Sequence, residues 1–241
     1  MMRYWIAADI ETRPDDGAVP YLAPIVANRS LRDTAKIDAD LDAKAKAQRD
    51  KMGLDPWASR PEVITVQTEA DPEPSVFVCT DDEGLRAALL AIHGLRVQGM
   101  NTRPFLGYRV RTFDLPHLTH HARRLGLEWP RLDLRRYNSW DCVDLYDVLA
   151  DDDCEHVISR SLKSACRIYG IDVPEDDIDG KDVAALLAEG NLEAVAAHCR
   201  RDVERVVRLA RRCRLIADPA EPSMATATRK WLETRWQEAV L

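Results

Sequence analysis

The run Trp5-Ile6-Ala7-Ala8-Asp9-Ile10-Glu11-Thr12 constrains this chain more than any other stretch. It reads as a short buried strand that delivers two carboxylates at its end. Side chains alternate faces along a strand, so Asp9 and Glu11 share one face while Ile10 points into the opposite layer. Two acids side by side repel each other, and a cation between them removes the conflict. A hard divalent ion such as Mg²⁺ is the obvious one. The plainer reading is a strand that ends in a polar turn, because Thr12-Arg13-Pro14-Asp15-Asp16-Gly17 is loop-like. Asp-x-Glu alone does not separate the two readings.

The 241 residues suffice for one large domain or two small ones, and a hydrophobic content of 46% provides a sizeable core. No apolar run approaches the roughly 20 residues that cross a bilayer. Met1 to Trp5 leads straight into the strand, without the apolar core of a signal peptide. Cys79, Cys142, Cys154, Cys166, Cys199 and Cys213 are scattered, with no CxxC pair. They read as reduced thiols, so a cytoplasmic location is expected, with neither a zinc site nor a disulfide framework. A net charge of −7 argues against a protein that coats polyanions, but not against an enzyme whose acids hold metal. The arginines cluster, most densely between Arg200 and Arg214, and solvated helix faces explain such clusters as well as nucleic acid does.

After the first strand, residues 28–52 read as an exposed amphipathic helix. Glu62–Thr68 and Ser75–Cys79 alternate like strands, and the Pro-rich link between them predicts a hairpin, hence a three-strand meander. Thr80-Asp81-Asp82-Glu83 has the form of a capping box, opening a helix that Gly94 closes. Arg103–Tyr108 reads as a fourth strand, Asp114–Leu125 as a helix, and Ser139–Leu145 as a fifth strand running into a helix. Helices are expected over 160–169, 180–188, 191–213 and 223–239. Strands first, with helices between and after them, indicate an α/β sheet with helices on its faces and a helical C-terminal half.

Two further acids stand out. Phe113-Asp114-Leu115-Pro116 follows the fourth strand at a helix start. His198-Cys199-Arg200-Arg201-Asp202 lies inside a helix, where residues four apart sit about 40° from each other on one face. Val195, Val206 and Leu209 set that helix against the core, which leaves Arg201, Arg205, Arg208 and Arg212 on more exposed bearings. Taken singly, His198 reads as a half-buried helix histidine and Asp202 as an arginine's partner. His117, His120 and His121 have a spacing that suits zinc, but no cysteine or acid completes a site, and an exposed polar face is expected. Asp144 is expected to cap the helix after strand five.

The joint pattern is Asp9-x-Glu11, Phe113-Asp114 and His198-x-x-x-Asp202. With it the chain resembles the DEDD superfamily of 3′–5′ exonucleases. More narrowly, it resembles the phage and bacterial proteins related to the exonuclease domain of family B DNA polymerases. Ala8–Thr12, Gly107–Leu118 and Cys199–Val203 carry the three motifs, and the similarity runs over roughly residues 3–215. The resemblance implies a ribonuclease H-like mixed sheet of about five strands within a domain spanning 1–217, with 28–60 as a helical insertion and loop. Residues 218–241 would form a C-terminal helix packed on that domain or a partner. It further implies two Mg²⁺ or Mn²⁺ ions held by Asp9, Glu11, Asp114 and Asp202, with His198 as base or water positioner. The expected substrate is single-stranded or 3′-ended nucleic acid, DNA favoured and RNA possible, cut to nucleoside 5′-monophosphates. A replication or recombination protein is a possible partner, and a membrane is not.

Two positions depart from the family. Arg109 stands where the second motif usually has Asn. His198 sits four residues before Asp202, the tyrosine spacing, whereas the family's His lies five before. These substitutions motivate an alternative: a catalytically impaired nucleic-acid-binding or polymerase-partner module of the same fold.

Overall fold

The computed structural model describes residues 2–98, 101–136, 140–150, 161–174 and 178–218. The expected last helix, with Trp231 and Trp236, lies outside the described residues, as do Ser139, Cys154 and the acidic run 151–153.

The leading strand β1 (Ile6–Pro14) is the centre of a five-stranded sheet. β2 (Ser59–Thr68) lies antiparallel to it and β3 (Ser75–Val78) antiparallel to β2, which is the expected meander. A two-strand ribbon, β4 (Val97–Gln98) and β5 (Asn101–Thr102), precedes β6 (Phe105–Gly107). β6 runs parallel to β1, and β7 (Cys142–Asp144) runs parallel to β6. The order β3-β2-β1-β6-β7, flanked by helices, makes this an α/β ribonuclease H-like fold.

Helices cover both faces, and the β1 alternation decides which side chain meets which. Ile6, Ala8 and Ile10 pack against α2 (Asp82–Arg96) and α3 (Asp114–Arg124) through Leu85, Leu89, Ile92, Leu115 and Leu118. Trp5 and Ala7 face the other way, onto α5 (Leu162–Ile168) and α7 (Leu192–Arg212). α4 (Leu145–Leu149) follows β7 directly, and α6 (Gly180–Ala188) packs beside the first turns of α7 against Val63 of β2. Val195, Val206 and Leu209 are buried, as the helix pattern requires. Among the described residues no helix is long and apolar enough to cross a membrane, and Cys79, Cys142, Cys166, Cys199 and Cys213 are free thiols.

Several boundaries differ from the sequence expectation. α1 covers Thr34–Met52 instead of starting at 28, because Asp33 accepts the Lys36 N–H and caps it. It is polar nearly all round and buries Met52 alone, so it is exposed but scarcely amphipathic. α2 is capped by Asp81, not Thr80, through the Gly84 N–H, and it continues through Gly94 to Arg96. β6 is confined to Phe105–Gly107. The histidines of α3 also depart: His117 and His121 are buried, not displayed on an exposed face. They close the gap between α3 and the turn into β2, where His120 lies against Trp57 at 4.5 Å between ring centroids.

Candidate active site

β1 and β2 pair from Ile6 to Glu11 in one register, which shifts between Glu11 and Thr12. The extra residue is Glu62 of β2, so a bulge there bends β2 just beyond the second acid of β1. On the other edge of β1, pairing with β6 ends at Ala7. The Ile10 N–H therefore has no strand neighbour, and Asp114 supplies the acceptor: its Oδ1 takes that N–H at 2.9 Å. The first residue of α3 is thus drawn through the gap beside β1 toward Asp9 and Glu11.

The loop from β6 to α3 is fixed from below. Asp144 accepts the N–H groups of Arg109 (2.7 Å), Arg111 (3.1 Å) and Tyr146 (3.0 Å), so it caps α4, as expected, and also anchors the loop. Arg109 is left-handed (φ 60°), a region that Asn tolerates better than Arg. This is a physical reason for the Asn usual at this position. The Arg109 guanidinium lies 4.5 Å from the centre of the Tyr146 ring, a cation–π arrangement. Gly107 has no room for a side chain, since a Cβ would come within 2.5 Å of Val110 Cβ and 3.1 Å of the Ala8 carbonyl.

α7 brings up the remaining groups. His198 is buried, with Nε2 3.4 Å from Glu11 Oε1 and 3.9 Å from Asp202 Oδ2. Cys199, next to it, sets its Sγ 3.4 Å from the Asp9 carbonyl and so seats the helix on β1. Arg205 is a correction: expected among the exposed arginines, it is buried and pairs with Asp202 at 2.6 Å. The Asp202-x-x-Arg205 spacing was the available signal, because i,i+3 neighbours meet on a helix.

Asp9, Glu11, Asp114, His198 and Asp202 therefore share one neighbourhood. Electrostatics register it. Burial holds the Asp9 carboxyl well above the usual carboxylate range, and Asp114, Glu11 and Asp202 push it further. Burial, then Asp202 and Asp114, raises Glu11 to about 8. Burial raises Asp114 to about 7 despite the N–H bond from Ile10. Buried carboxylates that resist ionisation in one another's presence are the environment that a cation reverses. Asp9 Oδ2 is buried with no hydrogen-bond partner among the described residues, and an all-oxygen donor set suits Mg²⁺ or Mn²⁺. On both counts the residues fit such ions. Among the described residues no group of three or more His, Cys, Asp or Glu stands close enough, as the side chains are placed, to hold a metal ion.

The α3 histidines stand apart from this site. His117 Nδ1 meets the Phe113 carbonyl at 2.7 Å. Burial, followed by Arg124, depresses His121 to about 3, so it is neutral near pH 7.

Residues 86–235 match a family model described as a predicted 3′–5′ exonuclease related to the exonuclease domain of PolB. The matched stretch holds Asp114, His198 and Asp202 and begins after Asp9 and Glu11. An uncharacterized protein of Methanocaldococcus jannaschii is 34% identical over 83 residues, which cover 31% of this chain and 47% of that one. The match thus spans about half the length of that relative.

Proposed function

The chain belongs to the family of predicted 3′–5′ exonucleases related to the exonuclease domain of PolB, and on that premise we propose that it hydrolyses phosphodiester bonds at the 3′ end of nucleic acid, with DNA favoured over RNA. One observation carries the reading. Carboxylates from elements far apart in sequence meet with an imidazole 3.4 Å from one of them. Two Mg²⁺ or Mn²⁺ ions held by Asp9, Glu11, Asp114 and Asp202 would supply Lewis-acid stabilisation of the entering and leaving oxygens.

The protein's own groups do the rest. His198 accepts a proton from the attacking water, a task that imidazole side chains commonly perform. Glu11, 3.4 Å from Nε2, stabilises the imidazolium that forms. The Ile10 N–H aims Asp114, and Asp144 holds the loop from which Asp114 projects. Water oxygen bonds to phosphorus as the bond to the 3′ oxygen breaks. The terminal nucleoside leaves as its 5′-monophosphate, and the shortened strand keeps a 3′ hydroxyl.

End-labelled single-stranded DNA, duplex DNA and RNA, each offered with Mg²⁺ and with Mn²⁺, test the reading. Stepwise loss from the 3′ end is expected, and Asp9→Ala should lower it by on the order of 10³-fold or more. An unchanged rate in a folded Asp9→Ala protein would overturn the mechanism. A second reading, a non-cutting nucleic-acid-binding or polymerase-partner module, draws on the engagement of Asp202 by Arg205. It requires retained strand binding without nucleotide release in either metal.

A further inference from the structure

A buried arginine beside a buried acid is stable only when the two pair closely. The Arg205 side chain is 4% exposed and that of Asp202 17%, with Nη1 2.6 Å from Oδ1. The other oxygen, Oδ2, lies on the His198 side, 3.9 Å from Nε2, and His198 in turn adjoins Glu11. The two oxygens of Asp202 thus face different groups. Cys166 of α5, also buried, senses the charges of both Arg205 and Asp202. The guanidinium therefore sits near Cys166, on the side of α7 against which α5 packs.

We propose that Arg205 is a positioning residue: by holding Oδ1 it locks the Asp202 rotamer and leaves Oδ2 as a single-oxygen donor toward the cation site. The inference rests on the nuclease reading above. A guanidinium suits the task better than an ammonium, because it is planar, always charged and directional. Freed from it, Asp202 could offer both oxygens to one ion. Cation binding would persist, while the donor geometry required for turnover would not.

Arg205→Met keeps the stem and removes the cation, whereas Arg205→Lys keeps a cation without the rigid fork. Both are compared with wild type, after thermal melts establish that they fold, by Mn²⁺ calorimetry without substrate and by kcat on a labelled single strand at saturating Mn²⁺. Arg205→Met should bind Mn²⁺ as tightly as wild type or tighter, yet lose about a hundredfold in kcat, the scale of an ångström-sized misplacement. Arg205→Lys should recover part of that rate. Normal kcat in folded Arg205→Met would overturn the inference alone. So would a rate loss that simply follows lost Mn²⁺ binding, since Arg205 would then only support the fold of the pocket. A wild-type chain that neither binds Mn²⁺ nor releases nucleotides would overturn the nuclease reading, and this inference with it.

Discussion

The two sides of the candidate site solve the same problem differently. On the α7 side, Glu11 and Asp202 are met by side chains, His198 and Arg205. On the α3 side, Asp114 and the loop behind it are held by backbone: the Ile10 N–H on Asp114, and the Arg109 and Arg111 N–H groups on Asp144. Side-chain compensation tracks charge, so it changes with a single substitution or with pH. Backbone compensation tracks path, so it changes when the chain is re-routed.

The largest expected effect lies on the α7 side. His198→Ala should lower kcat by about 10²- to 10⁴-fold, the range of general-base catalysis. Mn²⁺ affinity should stay within a few-fold, and equal losses of both would assign the histidine as a ligand instead. Next is a paired test of the contrast. Asp202→Asn removes the charge facing buried Arg205 and should destabilise by about 3 kcal/mol or more. Asp114→Asn keeps an oxygen for the Ile10 N–H and removes a charge that burial opposes, so metal-free stability should hold or rise. Melting curves of the two variants read this directly, and equal losses would erase the distinction.

The third expectation is a pH dependence of the metal-free protein. Glu11 is raised from 4.5 to about 8 and Asp114 from 3.8 to about 7. Groups with folded pKa values above their unfolded ones stabilise fully below pH about 4 and lose that contribution as pH rises through 7 and 8. The melting temperature should therefore fall across that window, Mg²⁺ or Mn²⁺ should restore it, and Glu11→Gln should flatten the profile. A melting temperature that climbs from pH 5 to 8 without metal would contradict these shifts. The smallest effect belongs to the backbone side. Gly107→Ala sets a Cβ against Val110 and should cost about 2 kcal/mol. It should also lower turnover, because the loop carrying Asp114 has to move.

Much of this contrast was legible in residue order. Period-two alternation put Asp9 and Glu11 on one face of β1, and period 3.6 put His198 and Asp202 on one face of α7. What stayed hidden depended on neighbours. A helical projection tells a buried bearing from an exposed one only when a single face is covered. α7 is covered by β1 and β2 and also by α5 and α6, so Arg205 is buried on a bearing that a single stripe calls exposed. His117 and His121 were misread for the same reason: the turn into β2 lies over that side of α3. The early end of β6, which exposes the Ile10 N–H to Asp114, leaves no periodic signature in three residues.

That early end carries a consequence for how this chain can vary. Between Gly107 and Asp114 the main chain is fastened at its start by crowding, in its middle by Asp144 and at its far end by Ile10. Deleting one residue there would shorten the span by up to about 3.5 Å, more than a 2.9 Å bond can absorb. Exposed Thr112 and half-exposed Tyr108 should accept replacement far more readily than the segment accepts a change in its number of residues. Related chains should therefore preserve the length of this connection more strictly than its lettering.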